Sequence, residues 1–250
     1  MKTSIITAVW NRSDLTHQFL THHWRLFSKR PEVEIVMVNN GSTDDTMIYL
    51  DYWQEQFTPF RMQVVNLAEN TGFGPGNNRG AEAATGDLLI FISNDVTPQG
   101  DYVSPIQAAI QDGMIIGAEM FSHDTGWNRF RHVLGGDPIV LSYLAGWCLA
   151  MTRPTWNFMA VRTVRLSAHA EAEKEAYPPE NEGLFDERFL LCDYEDLDVA
   201  CRAINMGITL KALDLPLRHA FGQTAQQLDR LAVTMENRRR FMEKWELVEV

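Results

Sequence analysis

The chain has 250 residues, enough for one large domain with a real core, and its 45% hydrophobic and 22% charged content is that of an ordinary globular protein. A formal charge of −11 argues against a grip on long nucleic acid, which comes largely from neutralised phosphates; basic residues gather only at Arg162–Arg165 and Arg238-Arg239-Arg240. The apolar runs are too short for a membrane span and polar Asn11-Arg12 stands where a signal peptide needs small residues, while three cysteines without CxxC spacing speak against a disulfide framework or zinc site and for a reducing, cytoplasmic setting.

Taken in chain order, "TSIITAV" (3–9) reads as a strand, followed by a helix from Ser13 to about Phe27 with Ser13 or Asp14 as cap. "VEIVMV" (33–38) is a second strand, closed by the turn cluster Asn39-Asn40-Gly41. "STDDTMIYLDYWQEQF" then carries a cap at Ser42 or Thr43 and acids in its first turn, the signature of a helix start. "MQVVNL" (62–67) is a third strand, "NNRGAEAA" (77–84) a helix and "DLLIFIS" (87–93) a fourth strand. Strands alternating with helices predict crossover connections and a mostly parallel sheet.

The second half is less regular. "DGMIIGAEM" (112–120) adds a strand, and "HDTGWNRFRHVLGGDP" (123–138) is an irregular excursion. "VLSYLAGWCLAMTR" (140–153) is either a strand pair or a buried helix. Residues 167–182 are polar and contain Pro-Pro, which predicts an exposed loop. A helix begins near Asp193 or Tyr194 and stops at Gly207, and another occupies roughly 224–245, where "MENRRRFMEKW" offers a local basic contact.

In open α/β sheets, ligands bind beyond the carboxyl ends of the strands, and three such ends carry polar residues: Thr7–Asn11, Asn39–Asp45 and Ser93–Asp95. Asp95 ends a greasy strand; it either solvates a turn or is held rigidly for a hard cation, which prefers oxygen ligands. Asn40 either makes the Asn-Gly turn or offers donors and an acceptor to a base edge. The glycines of "NTGFGPGNNRG" form either a structural loop or one that lets a ligand approach the backbone. In "CDYEDLDVACR", Asp193 and Asp196 resemble a capping arrangement and Asp198 pairs with Arg202. That leaves Glu195-Asp196, two carboxylates that a helix start helps to keep ionised, as a general base requires. His219 matters if the fold brings it to Asp95.

Five segments in this order resemble the family-2 inverting glycosyltransferases of the GT-A fold: "IITAVWNR", "VMVNNGSTDDT", "NTGFGPGNNRGAEAATGDLLIFISND", "GLFDERFLLCDYEDLDVACRAINMG" and "HAFGQT". The "FDE-F---ED-D---R---G" spacing resembles the rhamnosyltransferase-like branch. The resemblance implies one α/β domain with a Rossmann-like, mostly parallel sheet flanked by helices: a nucleotide-binding half (1–97), an acceptor and catalytic half (98–224) and a C-terminal helix (225–250). It implies transfer of a sugar from a nucleotide-diphosphate donor, by default a UDP- or dTDP-sugar, to a saccharide or other hydroxyl acceptor, with inversion. Thr7, Val9 and Asn11 would line the nucleotide pocket, Asn40 would face the base, and Gly74, Asn78 and Arg79 would border the donor. Asp95, the last acid of a DxD-type motif whose other positions here are Ser93 and Asn94, would hold Mn2+ or Mg2+ with His219. Asp196 would be the general base, with Glu195 as runner-up, and Trp147 would form an acceptor platform. The weakened DxD keeps open a silent sugar-nucleotide or carbohydrate-binding module, and a nucleotidyltransferase acting on sugar phosphates is the other alternative.

Overall fold

A computed structural model of the protein describes residues 1–56, 61–123, 130–136, 141–163, 183–189, 191–220 and 229–249. The expected 167–182 loop, Arg165 and the Gly-Gln-Thr after His219 lie outside them. The first half runs β1 (Thr3–Val9), α1 (Ser13–Phe27), β2 (Val33–Asn40), α2 (Thr46–Gln56), β3 (Arg61–Leu67), α3 (Phe73–Ala83), β4 (Leu88–Ile92), β5 (Val96–Pro98) and α4 (Val103–Ala109). The second runs β6 (Met114–Gly117), β7 (Met120–His123), β8 (Phe130–His132), β9 (Leu141–Leu144), β10 (Cys148–Thr152), α5 (Arg153–Thr163), α6 (Glu195–Asn205), β11 (Thr209–Ala212), β12 (Leu217–His219), α7 (Arg230–Lys244) and β13 (Leu247–Glu249).

Seven strands make the central sheet in the order β11-β6-β10-β4-β1-β2-β3, parallel except for β10, which runs antiparallel to both its neighbours. The two-residue period of a strand explains why β4 is apolar throughout. Leu88, Ile90 and Ile92 face the layer with Phe19 and Phe27 of α1, while Leu89 and Phe91 face the layer with Ala81 of α3 and Phe185. A third core, of Phe130, Tyr194, Leu197, Phe241 and Leu247, packs α7 and β13 onto α6.

Three expectations change in detail. Neither helix cap falls where the sequence put it. Ser42 Oγ accepts from Asn11 N–H at 2.8 Å and the Thr43 N–H donates to Asn11 Oδ1 at 2.8 Å, so both are used to join two loops. Asp44 serves instead, accepting from Ser13 N–H at 2.9 Å and Thr46 N–H at 3.0 Å, one carboxylate at two helix starts. The glycine stretch is not a loop: α3 begins at Phe73 and takes Gly74 and Gly76 into its first turns. Gly72 turns the chain into it at φ +102°, where an added Cβ would lie 2.9 Å from the Leu191 nitrogen. The 112–120 segment breaks at Ala118-Glu119 into β6, in the central sheet, and β7, which pairs with β9.

The 140–153 segment resolves as the strand pair, β9 and β10, joined by Ala145-Gly146-Trp147. The arginine run of α7 is not a basic face: Arg238 pairs with Glu249, Arg239 with Glu236 and Glu243, and Arg240 with Glu236. Among the described residues, no helix is long and apolar enough to cross a membrane.

Candidate active site

The chain leaves β1 for β2 and β3, then returns to the other side of β1 as β4. Crossovers departing in opposite directions open a crevice at the carboxyl ends of β1 and β4. A cavity of about 360 Å³ lies there. Its walls come from Ala8–Trp10 at the end of β1, Ser93–Asp95 after β4, Gly146-Trp147, the turn into α6 with Glu195 and Asp196, and His219 and Arg230.

Asp95 and His219 meet because β12 pairs antiparallel with β5, setting His219 opposite Val96. Asp95 Oδ1 lies 3.2 Å from His219 Nε2, and the Ala220 N–H donates to the Asp95 carbonyl at 3.1 Å. Trp147 stacks on the imidazole, with ring centroids 5.0 Å apart at 23°, and its Nε1–H donates to Glu119 Oε2 at 3.3 Å. Both Asn94 and Asp95 are buried.

No group of three or more His, Cys, Asp or Glu suited to a metal occurs among the described residues. A divalent ion that keeps several waters and takes phosphate oxygens from its substrate needs only one or two protein ligands. The carboxylate–imidazole pair, facing an open cavity, fits such an ion.

Asp196 sits in the first turn of α6. Its Oδ2 accepts from the Gly146 N–H at 3.0 Å and its Oδ1 from the Leu197 N–H at 2.8 Å. The capping arrangement with Asp193 does not form, because Asp193 is held by Arg230 and Thr234. The favourable effect expected of a helix start on the ionised form of these carboxylates is outweighed by burial. Burial pushes Asp196 up to about 6, against the pull of the Gly146 and Leu197 N–H bonds. Burial and the neighbouring Asp196 charge push Glu195 well above the usual carboxylate range. Glu195 Oε2 has no hydrogen-bond partner among the described residues.

Of the residues singled out in the sequence, the cavity gathers Val9, Asn40, Asn94, Asp95, Trp147, Glu195, Asp196 and His219. Asn40 faces it differently from the expectation. Its Oδ1 accepts from Thr71 N–H and Oγ–H at 3.0 Å each, and its Nδ2 donates to Asn70 Oδ1 and the Gly72 carbonyl at 3.1 and 2.9 Å. With donors and acceptor engaged inside the protein, the amide shapes the wall rather than presenting a free base-reading edge.

Five residues stand behind the wall. The Thr7 hydroxyl donates to the Ile92 carbonyl at 2.9 Å, tying β1 to β4, and Asn11 joins the two loops described above. Gly74 lets α3 approach Phe185, whose Cβ would be 2.8 Å from an added Cβ. Asn78 clasps the Phe185 backbone, accepting from its N–H at 3.0 Å and donating to its carbonyl at 2.8 Å. Arg79 pairs with Glu82 at 2.7 Å and Glu187 at 3.5 Å. Sequence reasoning passed over Gly146 and Arg230. The only signal for Gly146 is a small residue inside an apolar run; an added Cβ there would lie 3.1 Å from Asp196 Cβ.

Sheet order, switch-point cavity and an antiparallel strand next to β4 define the GT-A class of α/β domain. Residues 4–160, more than half of the chain, match the family model "Glycosyl transferase family 2", and the chain belongs to that family. It is 30% identical over 105 residues to the uncharacterized glycosyltransferase YfnE of Bacillus subtilis (strain 168), covering 42% of this chain and 26% of that protein. The chain thus spans about a quarter of the length of the first curated relatives it matches. Among solved structures, GalNAc-T7 with UDP, GalNAc and Mn2+ superposes with a TM-score of 0.65 and 13% identity, over 97% of this chain and 48% of the other. The Pyrobaculum calidifontis mannosyltransferase PcManGT, in complex with GDP-Man and Mn2+, gives 0.55 and 15%, over 85% and 54%. At these identities the likeness carries the fold alone.

Proposed function

We propose that this domain is an inverting glycosyltransferase that moves a sugar, hexosyl or deoxyhexosyl, from a nucleotide-diphosphate donor to an acceptor hydroxyl. The observation that carries the reading is the convergence of Asp95, His219 and Asp196, far apart in sequence, on one cavity. Residues 1–97 would serve mainly the donor and 98–224 the acceptor. The rhamnosyltransferase-like branch and a UDP- or dTDP-linked donor rest on the sequence resemblance. Three free cysteines fit a cytoplasmic setting.

In this reading Asp95 and His219 would hold Mn2+ or Mg2+, which when bound supplies charge stabilisation for the departing diphosphate. Asp196 accepts the acceptor's proton. Gly146 N–H fixes Oδ2 of that carboxylate, so the proton acceptor arrives in one orientation. The accepted proton also relieves the burial of a charge, which makes a carboxylate titrating near 6 a stronger base than a solvated one. Trp147, braced by His219 and Glu119, offers an aromatic platform for the acceptor, and Val9 an apolar contact for the nucleotide.

A thermal-shift screen of nucleotide sugars with Mn2+ tests the donor, since a ligand of the native state raises its melting temperature. Assays of the stabilising donors with and without EDTA then test the reaction. Nucleoside diphosphate release that EDTA abolishes supports the proposal. Binding without turnover indicates a silent module, and pyrophosphate release a nucleotidyltransferase.

A further inference from the structure

The turn that leads into α6 is gripped by one face of α7. Arg230, Thr234 and Asn237 recur at the spacing that aligns side chains along a helix. Arg230 forks onto Asp193, Nη2 to Oδ1 at 2.8 Å and Nε to Oδ2 at 3.1 Å, and Thr234 Oγ–H donates to the same carboxylate at 2.6 Å. Asn237 Nδ2 donates to the carbonyls of Cys192 and Asp193 at 2.7 and 3.0 Å. What they hold is backbone that L-residues resist: Leu191, Asp193 and Tyr194 have φ of 48°, 72° and 73°. Glu195 and Asp196 follow directly.

The Arg230 side chain is 54% exposed, and an ion pair so solvated contributes little to stability. Nor does α7 need it for docking. Phe241 is fully buried against α6, Lys244 pairs with Asp186 at 2.7 Å and Asp198 at 2.6 Å, and Trp245 Nε1–H donates to Asp198 at 3.0 Å. Arg230 is also the only Lys or Arg among the described cavity-lining residues. We infer that Arg230 is a positioning residue, which through Asp193 locks the turn that presents Asp196 to the cavity. The functional weight of this lock rests on the reading of Asp196 as the base.

Asp193 in the turn acts directly on Asp196, Glu195 beside it and Tyr143 from β9 feel the Asp196 charge, Glu119 and Tyr194 flank Tyr143, and Arg230 from α7 acts on Asp193 and Glu195. Removing the guanidinium leaves the Asp193 charge unbalanced and raises the proton affinity of Asp196.

The test uses the full chain without donor, in Arg230→Gln and Arg230→Lys. It follows amide exchange at Gly146, which reports the bond to Asp196, and the carboxyl 13C titration of Asp196. Arg230→Gln should keep its fold while Gly146 exchanges about tenfold faster or more, with the Asp196 midpoint moved up. Arg230→Lys keeps the charge but loses the fork, so Gly146 should exchange fast with the midpoint near that of the parent. Thr234→Val, a gentler loss from the same grip, should speed Gly146 exchange by less; should Arg230→Gln not fold, unchanged exchange in Thr234→Val overturns the inference. A folded Arg230→Gln with parental exchange and midpoint overturns it too. If Asp196→Asn retains turnover, the base reading falls while these two readouts still decide the positioning role.

Discussion

Asp196 is a carboxyl that its surroundings make reluctant to ionise, and two consequences can be measured. A base must be unprotonated, so turnover should rise with pH and reach half its plateau near 6. Asp196→Asn should lower transfer by about 10²–10⁴-fold while donor binding persists; transfer within threefold of the parent would remove it from the reaction. Glu195 behaves in the same direction for stability. A carboxyl whose folded affinity for protons is raised contributes stability below its unfolded pKa, and that contribution is lost as pH rises through the folded value. Glu195→Gln should therefore stabilise the protein against urea at pH 8 and much less at pH 4; equal effects at both would show that Glu195 ionises in the fold as readily as in the unfolded chain. Asp95→Ala should erase the metal-dependent part of nucleotide binding, read by titration in Mn2+ and in EDTA. At this scale the sequence was informative where an acid interrupts an apolar pattern, as at Asp95 and Glu195-Asp196. It was silent on Arg230 and Gly146, and on Asn40, whose amide is spent on Asn70, Thr71 and Gly72 of another loop, because all these partners are distant in the chain.

Strand and helix positions were the most legible part of the chain. The bounds of β1 and α1 are those expected, because Asn11 ends the apolar run, Ser13-Asp14 opens the helical pattern and Pro31 follows its end. Helix starts were not legible: Asp44 caps two helices across a loop–loop contact, a choice that depends on Asn11 having taken Ser42 and Thr43. The short β5 and β12 were also missed, since three-residue strands have too little pattern to detect. Asn78 shows how an element is fixed without entering the cavity. Its amide satisfies both backbone groups of buried Phe185, so Asn78→Ala should cost about 2–4 kcal/mol of unfolding free energy by leaving both groups unpaired. Loss below about 0.5 kcal/mol in urea unfolding would mean that water replaces the amide.

The molecule as a whole carries an acid-sensitive point that is not part of the cavity wall. His23 is fully buried, with Nδ1 2.7 Å from the Phe19 carbonyl and Nε2 2.8 Å from the Tyr102 hydroxyl. A carbonyl only accepts, so Nδ1 carries the proton and Tyr102 O–H donates to Nε2: the ring is neutral. Burial lowers its pKa to about 4. The unfolded chain takes up this proton first, so the contribution is complete above an unfolded value of about 6.5 and is lost as pH falls toward 4, on the order of 3 kcal/mol. His23→Gln should flatten the fall in stability over that window by about one proton; an unchanged slope would place the acid sensitivity elsewhere. The walls of the cavity have a consequence of their own. They are drawn from chain segments near residues 9, 40, 71, 94, 146, 195, 219 and 230. During synthesis, then, the three-layer scaffold of the early strands emerges from the ribosome well before the cavity is complete, because the walls at 195, 219 and 230 are still to come.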